Sequence, residues 1–385
     1  MARSDLTALL ASKEMVLVCG SGGVGKTTTA AAMAVAAAAE IGGRVLVLTV
    51  DPARRLADAL GVGKIGNEAT RVPDEAFEAA GVEPSGELWA AMLDTKAGWD
   101  ELIRRHAPDA KLRESVLANP LYQNITGRFV HSHDYLAMEK LHELHASGRF
   151  DLIIVDTPPS RNALDILDAP GRMTEFFGSR LLKWLTVPYR SRLFTIASKP
   201  FYQVADRILG SRFLQDIAEF FMLFQAMEKG FVEHAREVEQ LLADPRTTFV
   251  VVSTLEAAPS HEAAYLAKAL KRREFHLGAI IANRVLPDSF TAKASANSAR
   301  KLAAAAGGQL ADDVAAAITA DRDDVAHVLA EIAARFHDVG VIATRESERC
   351  AELATLSPLL VTAPVLNRDV NDLSDLLELA NGFSS

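Results

Sequence analysis

Six short runs of the chain are apolar without the alternation of a half-exposed strand: MVLVCG (15–20), RVLVLTVD (44–51), DLIIVD (151–156), TTFVVVST (247–254), GAIIANRV (278–285) and PLLVTAPV (358–365). A strand needs consecutive apolar side chains only when both of its faces are covered. These runs therefore predict an α/β fold, a doubly wound and mostly parallel sheet with helices on either side. Ligands of such sheets sit beyond the carboxyl ends of the strands. Segments 62–150 and 160–246 are too long for simple crossovers, and both read as helical. They predict one domain spanning 1–385 with an inserted helical subdomain formed by about 96–140 and 162–242. The Ala-rich stretch 303–334 has helical spacing, interrupted by Gly307 and Gly308, and reads as packed helices. No internal repeat and no Pro/Gly/Ser-rich linker argues for separate domains.

Composition narrows the function classes. With 385 residues, 49% hydrophobic and 24% charged, the chain is long enough for one large α/β domain, and its net charge of -9 argues against a broad nucleic-acid footprint. Its two cysteines, Cys19 and Cys350, are too far apart for a CxxC metal pair and too few for a disulfide framework. Cys19 reads as a small buried hydrophobe in a strand. Neither a signal-like start nor a long uncharged apolar run is present, and the C-terminal NDLSDLLELANGFSS is acidic rather than a basic membrane anchor. The expectation is a cytoplasmic protein without stable membrane insertion.

The candidate chemistry begins at the first strand. Gly20, Gly25, Lys26 and Thr27 satisfy G-x-x-x-x-G-K-[ST], between an apolar run and the Ala-rich helix pattern TTTAAAMAVAAAAE. Glycines let backbone N–H groups converge on phosphate oxygens, and a helix N-terminus adds its positive dipole. Gly20, Gly22, Gly23, Val24, Gly25, Lys26, Thr27 and Thr28 are thus the candidate phosphate contacts. Lys26 would reach the β- and γ-phosphates and the Thr27 hydroxyl would ligate Mg²⁺. Asp156, where an apolar strand meets a Pro-rich turn, is the candidate acid that holds Mg²⁺ through water, or else a turn cap. Asp51 ends a second strand and would position or deprotonate an attacking water, or else cap the helix ARRLADAL.

The three stretches GSGGVGKTT (20–28), VDPARR (50–55) and DTPPS (156–160), in this order, resemble the arsenite-pump ATPase (ArsA-like) family. That family includes the ATPases that deliver tail-anchored membrane proteins, and the resemblance runs over most of the chain. It implies a deviant Walker A loop, ATP with Mg²⁺, and a dimer whose two switch segments convert ATP hydrolysis into conformational change, handling a hydrophobic or membrane-protein client. It also implies that Asn283 recognises adenine and that Pro364 and Val365 belong to the loop over the base. The absence of an NKxD or TKxD motif agrees with adenine rather than guanine. Other readings remain open: an ATP-binding regulatory or scaffold subunit with little hydrolysis, or the ATPase subunit of an anion transporter.

The chain departs from the family pattern at Ser21, where the family carries a lysine that touches the partner's nucleotide across the dimer interface. A serine has no charge to do this. The expectation is a heterodimer with a lysine-bearing paralogue, with a homodimer as the alternative in which Arg54, Arg55 or Arg161 substitutes. The switch DTPPSRN lacks the family's Gly-His ending, and the thiols for arsenite or interfacial zinc are missing.

Two further stretches stand out. Nine of the seventeen Phe lie between Phe176 and Phe231, and Phe220, Phe221 and Phe224 form either core or a client groove. His131, His133, His142 and His145 lie close together without a carboxylate or thiol pattern, which reads as a surface helix without metal.

Overall fold

In a computed structural model, the described residues are 5–50, 55–63, 65–93, 95–107, 109–119, 122–123, 132–157, 168, 171–172, 175, 220–223 and 225–384, with backbone alone at 55, 95–97 and 132–135. The first half runs α1 (Asp5–Ala11), β1 (Met15–Cys19), α2 (Lys26–Glu40), β2 (Gly43–Thr49), α3 (Arg55–Ala59), β3 (Thr70–Arg71), α4 (Asp74–Ala79), β4 (Gly86–Met92), α5 (Thr95–His106), α6 (Ala110–Ala118), α7 (Ser132–Ala146) and β5 (Leu152–Asp156). The second continues α8 (Glu228–Ala243), β6 (Thr247–Ser253), α9 (Ala257–Arg272), β7 (Leu277–Val285), α10 (Lys293–Ala305), α11 (Gln309–Ile318), α12 (Arg322–Ala354), β8 (Leu360–Pro364) and α13 (Leu373–Asn381). The strands form one sheet in the order β3-β4-β2-β5-β1-β6-β7-β8. Among the described residues every pairing of these strands is parallel except β3 with β4.

The continuous apolar runs are explained by coverage on both sides. Along β1, Met15, Leu17 and Cys19 enter one core, with Leu141 of α7, Phe231 of α8 and Leu270 of α9. Val16 and Val18 enter the other, with the alanines of α2, Phe77 of α4 and Leu376 of α13. Small side chains let α2 lie close against the sheet, and its residues from Thr29 to Val35 are all buried. Each of the six predicted runs is a strand.

One expectation is corrected: segment 62–150 is not wholly helical, because β4 pairs with β2 and extends the sheet, and β3 folds back along it. The sequence of β4, GELWAAM, carries a glycine, a glutamate and two alanines, so its apolar signal is weak. Its Trp89 is half-buried, with the Arg149 guanidinium 5.9 Å from the ring centre and Phe150 edge-on. The histidine-bearing helix is corrected too: α7 buries Leu136, Met138, Leu141 and Leu144 and is no surface helix. The Ala-rich stretch is helical, broken at Gly307 and Gly308 between α10 and α11, and closed by the 33-residue α12. Among the described residues no helix is long and apolar enough to cross a membrane.

Candidate functional site

The parallel order brings the ends of β1, β2, β5, β7 and β8 to one edge, and the motif residues follow those ends. After Cys19 the chain turns through Gly20 at φ 150° and Gly25 at φ 93°. A Cβ at Gly20 would strike the Val252 carbonyl oxygen on β6, and one at Gly25 would strike the Asn283 amide nitrogen. Only glycine fits both the torsions and the space. Lys26 opens α2, is nearly buried, and donates from Nζ to the Ser21 carbonyl at 2.8 Å. That bond curls residues 21–26 into a closed loop. Among the described residues no side chain caps α2, whose first residues Lys26, Thr27 and Thr28 line the cleft. The Ser21 hydroxyl is buried and without a hydrogen-bond partner among the described residues.

Asp156 ends β5 between β1 and β2, in register with Val18 on one side and Thr49 on the other. It is 1% exposed, and one carboxylate oxygen, Oδ2, accepts from Thr27 at 2.6 Å and from Thr49 at 2.9 Å. Two hydroxyls on one oxygen fix the carboxylate's rotation. Thr157 is anchored beside it, donating to the Val18 carbonyl at 2.8 Å. Beneath the loop, burial pushes the Cys19 thiol up to about 12, so it stays protonated.

The cleft above these groups has a volume of about 1020 Å³, near the upper end of the roughly 300–1,000 Å³ usual for small-molecule sites. Asn283, 6% exposed at the end of β7, donates to the Val24 carbonyl at 2.8 Å and accepts from the Arg284 N–H at 2.9 Å. It therefore fastens the glycine loop to β7. Pro364 and Val365 line the far wall, where Val365 donates to the Val285 carbonyl at 3.1 Å. Arg368, also in the wall, pairs with buried Asp375 at 2.7 Å and with Glu378 at 2.9 Å.

Gly23, Gly25, Lys26, Thr27, Thr28, Asn283, Pro364 and Val365 therefore share one cleft. Asp156 stands at its floor through Thr27. Asp51, Arg54 and Arg161 lie outside the described residues, as do Phe224 and residues 176–219, while Phe220 is core and Phe221 packs against it. Sequence reasoning missed Thr49, although a hydroxyl residue two places before Asp51 on a neighbouring strand was a usable signal. It also missed Arg284, which holds a left-handed φ of 60° at the cleft. No spacing pointed to that residue.

The sequence profile of the family described as anion-transporting ATPase matches residues 13–306. Among curated proteins the chain is 27% identical over 287 residues to an ATPase get3 of Schizosaccharomyces japonicus, covering 73% of this chain and 77% of that one. It is 25% identical over 275 residues to an ATPase GET3 of Malassezia globosa, covering 71% and 73%. An ATPase ASNA1 homolog 1 of Paramecium tetraurelia is 26% identical over 278 residues, covering 71% and 75%.

Proposed function

The chain belongs to the anion-transporting ATPase family, and we propose that it is a Mg²⁺-dependent ATPase working as a dimer, whose nucleotide cycle moves a helical subdomain and alters affinity for a hydrophobic or membrane-protein client. The observation that carries this reading is the meeting, at one sheet edge, of a helix N-terminus uncapped among the described residues, a loop whose Gly20 and Gly25 leave no room for a Cβ, and a buried carboxylate held by two hydroxyls. This set fits a nucleotide with its cation. The loop offers backbone donors for phosphate, and Thr27 with Asp156 offers the hard oxygen ligands that Mg²⁺ takes, the acid acting through water. When bound, Mg²⁺ supplies positive charge against the phosphate oxygens.

The roles of the residues follow. Lys26, held by the Ser21 carbonyl at 2.8 Å, would exchange that weak acceptor for the β- and γ-phosphate oxygens. Asn283 and the Pro364–Val365 wall would bracket the adenine, and Asp51 would orient the attacking water. The test is phosphate release with Mg²⁺-ATP by the wild type, Lys26→Ala and Asp156→Asn. Loss of release in both variants, with folding intact by circular dichroism, supports the reading. Turnover unchanged in Lys26→Ala would sink it.

Ser21 favours a second reading for the chain by itself. Its buried hydroxyl carries no charge, so the isolated chain would hydrolyse slowly and act as the ATP-binding member of a heterodimer whose lysine-bearing paralogue supplies the trans cation. Equal rates with and without such a partner would remove this version.

A further inference from the structure

Three helices on the sheet face away from α2 gather side chains of metal-ligand type from distant parts of the sequence. His106 ends α5, Glu139 and His142 stand three apart on α7, and His234 and Glu237 stand three apart on α8. Residues three apart share a helix face, so Glu-x-x-His on α7 meets His-x-x-Glu on α8, with His106 closing the group. Paired Glu-x-x-His faces are a means by which helix bundles build metal centres. One ligand atom each from His106, Glu139 and His234 lies within 4.8 Å of the other two, and the same holds for His142, His234 and Glu237.

His234 is common to both sets. Its Nδ1 touches the Glu139 carboxylate, and its Nε2 lies 3.7 Å from Glu237 Oε2, the same oxygen that stands 3.8 Å from His142 Nε2. The rings of His142 and His234 are 4.4 Å apart and those of His106 and His234 5.3 Å apart. The inner members are dry: the Glu139 side chain is 3% exposed and that of His234 14%. His106 Nε2 is buried with no hydrogen-bond partner among the described residues, a lone pair or N–H that water cannot satisfy. Burial holds His106 and His142 below the ordinary imidazole value. His234 is raised by its hydrogen bond to Glu139. Among the described residues Arg105 is a cation beside the group, and it is held by Glu143 at 2.8 Å.

We propose that this cluster is a binding site for one divalent transition-metal ion of the zinc class, held by His106, Glu139 and His234, with His142 or Glu237 completing the coordination. Imidazole and carboxylate are ligands such ions accept. Tetrahedral ligands about 2.0–2.1 Å from Zn²⁺ are about 3.3 Å apart, so side-chain movements of roughly 1 Å close the set. The ion would fasten α5, α7 and α8 to one another over the sheet. Because α7 leads into β5 and α8 into β6, the clasp joins the helices that precede the two strands flanking β1. The site contains none of the phosphate-loop residues, so it stands whether or not the chain hydrolyses ATP.

The test uses the full chain without a histidine tag, stripped by chelator. It is titrated with Co²⁺, read by its visible absorption, then competed with Zn²⁺, with metal content measured after dialysis. One tightly held equivalent is expected, together with a rise in Tm on adding Zn²⁺. Glu139→Gln and His234→Ala should each weaken binding by more than the about 10- to 100-fold that follows loss of an outer-shell partner. Asp156→Asn should leave the Co²⁺ bands unchanged, which separates this site from the phosphate cleft. If His234→Ala fails to fold, Glu139→Gln, close in shape, decides through the same titration. A wild type that retains no stoichiometric metal, or variants that bind as it does, would overturn the proposal and leave a structural His–Glu network.

Discussion

At the scale of single residues, the floor of the cleft depends on how a buried carboxylate is held. Asp156 receives both the Thr27 and the Thr49 hydroxyl on one oxygen. Thr49 is 1% exposed, so water does not replace it. Thr49→Val keeps the shape and removes the donor, and the expected loss is about 1.5–3 kcal/mol, the range for hydrogen bonds to charged groups. Urea denaturation measures it, and a change within error would mean that Thr49 merely fills space. Cys19 gives a second residue-scale expectation. With the thiol pushed up to about 12 by burial, Cys19 stays protonated at pH 7, and the thiolate is the nucleophile. Iodoacetamide should therefore modify Cys19 only as the protein unfolds, and mass spectrometry of labelled peptides checks this. Labelling of the native protein at the rate of a free thiol would contradict the burial.

At the scale of elements, the glycine loop depends on its neighbour β7. Gly25→Ala would force a side chain into a φ of 93° and against the Asn283 amide that ties Val24 to the sheet. Strain of this kind costs roughly 1–3 kcal/mol, and the loop would shift away from its N–H geometry. A fluorescent ATP analogue should lose binding to Gly25→Ala while far-UV circular dichroism stays native. Unchanged binding would show that the loop tolerates a different path. The loop, its strand and its helix were legible because the motif sits between an apolar run and an Ala-rich helix, each diagnostic on its own. Strands buried on both faces were legible for the same reason. The strand β4 was not, since Gly86, Glu87 and two alanines leave too little apolar contrast. Nor was the link from Asn283 to the loop, 259 residues away in sequence. The group around His234 was hidden in the same way: His142 was read beside its sequence neighbours, whereas its spatial neighbours come from α5 and α8.

At the scale of the whole molecule, the position of Ser21 makes a prediction about assembly. Its side chain is too short and too buried to reach another subunit. If a trans cation is what the isolated chain lacks, Ser21→Lys should raise its ATP turnover, with an upper bound near the about 10³- to 10⁵-fold attributed to such cations. Steady-state phosphate release on purified homomeric protein is the measurement, and no gain would point to a cation elsewhere in the chain. The strand order has a consequence of another kind. β1 is made first but pairs with β5 and β6, which end at Asp156 and Ser253, and Gly20 rests on the carbonyl of Val252. During synthesis the glycine loop therefore has no backing until the chain has passed residue 253. At about 5–20 residues per second that delay is roughly 10 to 50 s. A growing chain thus passes most of its time on the ribosome with its glycine loop unsupported, because β1 keeps its β6 edge open even after β5 has covered the other, and the parts of the cleft that come from β7 and β8 arrive later still.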